Sequence, residues 1–200
     1  MPSLYMSFVT ILYNAQLMHY CGVDGVSAYG ILQYIGFIFI GAFLGYSVGS
    51  APIVGFHYGA ENKKELNNIF KKSIKALIIV GVGMTFIAVA FATPLSRIFI
   101  RNDEGLLSLT TRGLRLYSFG FLLSGLNIFA SSFFTALSNG LISLMISFSR
   151  TFICQALSVM LLPYVFGVDG IWLASVFAEF ITLFLTMFLV FAKRKKYGYL

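Results

Sequence analysis

The chain has 200 residues, of which 58% are hydrophobic, 17% aromatic and only 10% charged, with a mean hydropathy of +0.88. So few charges could not cover the apolar surface of a water-soluble domain of this length, which excludes a soluble globular protein and leaves a membrane protein. The net charge of +7 comes largely from lysines clustered in a few short segments, so it reads as a membrane-topology signal and not as affinity for nucleic acid.

About 20 helical residues, rising 1.5 Å each, cross a hydrocarbon core about 30 Å thick. Six apolar stretches qualify, approximately residues 3–19, 26–56, 74–100, 114–137, 141–166 and 170–192. None alternates with period two, which argues against a barrel. The first lacks a basic leader and a small-residue cleavage site and contains Asn14 and Gln16, so it is read as a span and not as a signal peptide. It enters the membrane almost at residue 1, as though another segment preceded it. The second is the most unusual. On a helical wheel Gly30, Tyr34, Gly41, Gly45, Gly49 and Pro52 share one face. That small-residue face is expected to pack closely against another helix, so that Gly45→Leu would disturb the packing. Pro52 removes one backbone hydrogen bond and is expected to kink or hinge the span. At about 46 Å, the span is longer than the core it crosses and must tilt, bend or project.

Beyond it, "YGAENKKELNNIFKKS", Lys75 just after it and the tail "KRKKYGYL" place nine lysines and arginines on one side of the membrane. The other side holds Arg97, Arg101, Arg112 and Arg115 beside Asp103 and Glu104. The lysine-rich side, with both chain ends, is expected in the cytoplasm. Arg150 in the fifth span and Glu179 in the sixth are the charges well inside predicted spans, where each is costly unless turned inward. Counted from the turn they share, they differ in depth by about 10 Å, so a direct ion pair requires helix stagger or a water bridge. The bland alternative is that Arg150 reaches the inner headgroups while Glu179 takes a local hydroxyl. Cys21 and Cys154 are read as free, and the two histidines, His19 and His57, fall at opposite faces without metal-ligand spacing. No intramembrane nucleophile and base pattern suggests an enzyme.

The stretch "GYSVGSAPIVGFHYGAENKKEL" resembles the glycine-rich helix and basic loop in the carboxyl-terminal lobe of the multidrug and toxic compound extrusion (MATE) family. "YCGVDGVSAYGI", "NIFASSFFTALSNG" and "GVDGIWLASVFAE" resemble three further stretches of that lobe, in the family's order. The resemblance implies an all-α integral membrane fold: six transmembrane helices forming one lobe of a twelve-helix, two-lobe transporter. An amino-terminal six-helix lobe would be the partner. It further implies a secondary active antiporter in the cell's cytoplasmic membrane. Organic cations or amphipathic drugs and toxins would leave the cell against proton or sodium influx, without a cofactor.

Substrate-path candidates are Asn14, Gln16, Gln33, Tyr34, Ser124 and Asn127; coupling or gating candidates are Glu179, Arg150 and His57. The acidic residues that the family's sodium-coupled branch carries on the first and fourth helices of this lobe are absent here, so the coupling ion stays open between H+ and Na+. A related lipid-linked oligosaccharide flippase would be expected to show several cations along its cavity, and an inactive membrane fragment or scaffold is the third reading.

Overall fold

The computed structural model describes residues 2–199, and they are helical almost throughout. The first helical stretch, α1 (Pro2–Gly59), is 58 residues long. A straight rod of that length would measure about 87 Å, nearly three membrane cores. Gly22 breaks it, with φ 64° and ψ −150°, a conformation open to glycine and strained for other residues. The two arms fold back on each other: the rings of Tyr13 and Tyr29 stack with centroids 4.6 Å apart, although sixteen residues of straight helix would separate them by about 24 Å. Thus α1 is a helical hairpin, with its turn between the first two expected spans, 3–19 and 26–56.

Asn62 opens α2 (Lys63–Ala90) by accepting a 3.1 Å hydrogen bond from the Glu65 backbone N–H. A short α3 (Ala92–Arg97) follows. The expected span 74–100 therefore starts eleven residues earlier, because the lysine-bearing turn continues the helix beyond the apolar stretch, and α2 stops at Ala90. Asp103 caps α4 (Glu104–Ser118) by accepting from the Leu106 N–H at 2.9 Å. The expected single span 114–137 becomes two helices, α4 and α5 (Phe121–Ala136), bent by 49°. The tightening at Gly120, whose N–H donates to the Tyr117 carbonyl at 3.0 Å, makes the bend. Next come α6 (Gly140–Phe148), a π-helical turn (Ser149–Ile153) and α7 (Cys154–Leu161). Pro163 cannot donate to the helical ladder and opens the four-residue α8 (Pro163–Phe166). The last helix, α9 (Val168–Tyr197), closes on the left-handed Gly198.

Contacts sort the connections into two ends. At one, Asn139 Nδ2 donates to the Tyr197 hydroxyl at 2.8 Å, and His57, Glu61, Lys63 and Lys196 surround a cavity of about 200 Å³. At the other, Arg112 pairs with Asp169, and the Tyr20 hydroxyl donates to the Pro163 carbonyl at 3.3 Å. The lysine-rich segments share the first end, as their alternation along the chain requires. There the tail folds back and buries Tyr199 among Phe70, Phe133 and Phe134. A second cluster, with Tyr13, Leu17, Leu32, Leu114 and Trp172, fills the other half. Both cysteines are free.

The glycines that bring backbones together differ from the expected set. A Cβ on Gly125 would lie 2.7 Å from the Phe43 ring, one on Gly113 3.0 Å from Trp172, and one on Gly170 2.5 Å from the Leu162 carbonyl. At Gly41, Gly45 and Gly49 a Cβ would meet nothing within 4 Å among the described residues. That face is exposed and looks away from the rest of the bundle, and helical dihedrals continue through Pro52. Among the described residues, then, no helix packs on the face expected to meet another helix, and the helix expected to kink or weaken at Pro52 keeps helical dihedrals there. Wheel geometry correctly grouped these residues on one face but could not say what that face meets. Gly170→Ala, forced against a carbonyl, is expected to lower stability by about 1–3 kcal/mol. Gly45→Ala should be neutral or slightly stabilising. Thermal unfolding in detergent, followed by circular dichroism, separates the two.

Candidate functional site

The least tolerable group in a membrane bundle is an ionised carboxylate without partners. Glu179, on α9, is 2% exposed. Ser124 and Asn127 sit three residues apart on α5, on one helical face, and both reach it. The Ser124 hydroxyl donates to Oε1 at 2.9 Å, and Asn127 Nδ2 donates to Oε2 at 2.8 Å and to the Glu179 backbone carbonyl at 3.0 Å. The Asn127 side-chain carbonyl in turn accepts from the Thr186 hydroxyl at 2.9 Å. Arg150 completes the shell, its Nε donating to Oε1 at 2.7 Å. The carboxylate is thus held by one cation and two neutral donors.

This direct pair corrects the sequence-based depth count and its headgroup-reaching alternative for Arg150. The count included residues 163–166, which contribute little to the depth. Gly170 packs directly on the Leu162 carbonyl, so the two helices come into register there. From that level Arg150 is about 18 Å deep and Glu179 about 13.5 Å, a gap of about 4.5 Å that the arginine stem spans. Arg150 also sits in the π-helical turn, where the Cys154 N–H bonds to the Ser149 carbonyl five residues back. Such a turn inserts a residue and re-aims its side chains, which is why π-turns collect at functional sites.

Arg150 lines two cavities. The larger, about 350 Å³, lies between the arms of α1, the end of α4 and the α7 region; Tyr13, Tyr29, Gln33, Tyr117 and Gln155 are on its wall. Mostly apolar and aromatic with a few polar groups, it has the size and character of a small-molecule site. Within it the Tyr13 hydroxyl donates to Gln155 Oε1 at 2.7 Å. The smaller, about 190 Å³, is hydroxyl-rich, with Ser47, Ser131, Ser132, Ser147 and Asn127.

Of the residues singled out in the sequence, the structure joins Ser124, Asn127, Arg150 and Glu179 in one network and puts Gln33 on the larger cavity. Ser124 is buried against Glu179 and is on the wall of neither cavity. Asn14 and Gln16 are half-buried and outside both cavities. Tyr34 is 65% exposed and stacks on Phe99. His57 is at the lysine-rich end, apart from the network, its Nδ1 buried without a hydrogen-bond partner among the described residues. Tyr13, Tyr117, Gln155 and the serines were not foreseen. The serines did leave a signal: Thr135 and Ser143, Ser131 and Ser147, and Asn127 and Thr151 lie four, eight and twelve residues on either side of Asn139. Polar residues mirrored at helical spacing about a turn are what a hairpin with a polar seam requires.

A bundle of apolar helices enclosing a buried ion pair and an aromatic cavity has the architecture of one lobe of a two-lobe membrane transporter. Solved structures share it. The chain is similar to an outward-facing conformation of a multidrug resistance MATE family transporter of the MOP superfamily (TM-score 0.87, 18% identity, 98% of this chain and 44% of that one). It is similar to an inward-facing conformation of such a transporter (TM-score 0.86, 19% identity, 97% and 46%) and to the Vibrio cholerae MATE transporter VcmN in its bent form (TM-score 0.86, 16% identity, 98% and 45%). The chain spans less than half the length of each. The MatE family model matches residues 1–161, and the chain belongs to that family. No curated protein matches the sequence.

Arg150→Met would leave a buried carboxylate with neutral donors alone and is expected to cost about 3–5 kcal/mol. Combining it with Glu179→Met should cost less than that single change, as a double-mutant cycle on thermal stability would show.

Proposed function

We propose that this chain is the carboxyl-terminal lobe of a secondary active exporter, working with an amino-terminal six-helix lobe to move amphipathic compounds, organic cations among them, out of the cell. The observation that carries the reading is the buried Arg150–Glu179 pair on the border of an aromatic cavity, in a chain of the MatE family. The cytoplasmic membrane is the proposed location, with the lysine-rich end inward in accord with the positive-inside rule. The lobe resembles outward-facing and inward-facing chains equally well, at TM-scores of 0.87 and 0.86. That supports transport by rocking of intact lobes around a shared cavity, with the open glycine face of α1 available to the second lobe.

Glu179 is the proposed ion-carrying group, and its surroundings favour a proton over sodium. Its oxygens already receive Arg150, Ser124 and Asn127 donors, and a sodium ion would have to sit beside a like-charged guanidinium. A flippase for lipid-linked oligosaccharides is disfavoured, because among the described residues Arg150 is the one charged side chain on the walls of these two cavities.

The test is ethidium accumulation in cells expressing this chain alone, or with an amino-terminal MATE lobe. Export is expected only from the pair, is abolished by a protonophore, and falls at least tenfold with Glu179→Gln. Equal accumulation with and without the paired lobes would defeat the exporter reading, and full export by the Gln variant would remove Glu179 from it.

A further inference from the structure

The hairpin of α5 and α6 carries hydroxyls on the face where the two helices meet. Nearest the Ser138–Asn139 turn, the exposed Thr135 donates to Ser143 Oγ at 2.7 Å. Ser143 Oγ lies 2.9 Å from Ser131 Oγ, which lies 2.6 Å from Ser147 Oγ. Ser131 and Ser147 line the smaller cavity, and two other residues on its wall, Asn127 and Arg150, are the direct partners of Glu179. Thr135 and Ser143 lie four residues from Asn139 and Ser131 and Ser147 eight, so the series advances by one helical turn, from about 6 to about 12 Å beyond the connection. Serine and threonine between membrane helices commonly serve as glue, and for that one or two hydroxyls suffice. Here four stand within hydrogen-bond distance of one another in unbroken order, starting at an exposed group and ending at a polar cavity. At about 190 Å³ that cavity has room for several waters, and Ser47, Asn127, Ser131, Ser132, Ser147 and Arg150 on its wall can partner them.

We propose that Thr135, Ser143, Ser131 and Ser147, with water in the adjoining cavity, form a proton route between Glu179 and the lysine-rich end of the lobe. The proposal rests on Glu179 as the ion-carrying group. Glu179 itself is off the cavity wall, behind Asn127 and Arg150, so the route requires a water that enters between those two side chains. A proton leaves the protonated Glu179 carboxyl for that water. That water passes a different proton to Ser147 Oγ. Each hydroxyl accepts a proton on a lone pair and releases its own to the next, until Thr135 gives one to bulk water. No bond other than O–H changes, and the carboxylate left behind is restored to Arg150, Asn127 and Ser124. The ionisable groups facing Glu179 are Arg150 from the π-turn and Tyr117 from α4. Neither belongs to the hydroxyl series, so the rate of proton passage can be altered without touching the groups that set the equilibrium at Glu179.

The test is the rate of Glu179 protonation after a pH jump, read on the purified chain in lipid nanodiscs from the infrared C=O band of the protonated carboxyl, identified by its loss in Glu179→Gln. Ser131→Ala is expected to slow the appearance of the band at least tenfold without changing the pH at which it is half-developed, and Ser131→Thr to restore the rate. Ser96→Ala, a buried hydroxyl outside the series, should leave it unchanged. Wild-type rates in Ser131→Ala, or no Glu179 band at any pH at which the chain remains folded, would overturn the route. Ethidium export is measured separately: normal protonation rates in Ser131→Ala together with intact export would sink the route and leave the exporter reading standing, and slowed protonation in a chain that never exports would do the reverse.

Discussion

Inside a bilayer no solvent is available to a polar group that lacks a protein partner. That constraint accounts for the centre of this lobe. A carboxylate on α9 demands donors, and the fold supplies three: two from one face of α5, one from the π-turn between α6 and α7. The 49° bend between α4 and α5 and the loosened turn at Arg150 both flank this shell. Uniform helices would leave the guanidinium aimed elsewhere. The irregularities are thus local departures from the best backbone geometry that are offset by satisfying one buried charge, as is expected where an ionisable residue is retained at membrane depth.

Much of this was legible from composition. Hydropathy located the helices, the alternation of basic loops sorted them into two ends, and the rarity of embedded charges drew attention to Arg150 and Glu179 alone. The failures share one cause, which is that a one-dimensional count assumes straight, complete helices. The depth difference between the two charges was overestimated because α8 after Pro163 adds four residues and little depth. The fourth span was read as continuous because Gly120 sits among apolar residues with no turn signal beside it. The glycines of α1 are a separate case: they have the spacing of a packing face, but Gly113, Gly125 and Gly170, which have no such pattern, make the close contacts inside the lobe. Spacing reports which residues share a face. Only the three-dimensional arrangement reports what lies opposite.

The open glycine face and the aromatic tail show how the lobe treats its own surfaces. At the lysine-rich end Gly198 turns the chain back, and Tyr199 is buried with its hydroxyl donating to the Val190 carbonyl at 2.8 Å. Read as sequence, "KRKKYGYL" was only a charged terminus, yet its two tyrosines close the end of the aromatic cluster. Along α1, by contrast, none of the described residues covers Gly41, Gly45 and Gly49. In lipid there is no hydrophobic gain from covering a small-residue face, so its value lies in how closely another backbone can approach. A face of that kind suits contact that must form and loosen, whereas the ring-filled core suits permanence.

Arg150 borders both the aromatic cavity and the hydroxyl-lined one, and this shared wall has an energetic consequence. Any ligand in the larger cavity that changes the position or partners of the guanidinium also changes how well Glu179 is held. If Glu179 carries the ion, linkage then requires the converse: ion binding alters ligand affinity by the same factor. If that ion is a proton, its arrival on Glu179 leaves Arg150 facing the cavity with its charge unbalanced, which disfavours a cationic ligand there. The two events oppose each other through one side chain. Opposition of this kind is the thermodynamic requirement for exchanging one solute against another, and in the proposed exporter the ion pair would meet it without any contact between ligand and carboxylate.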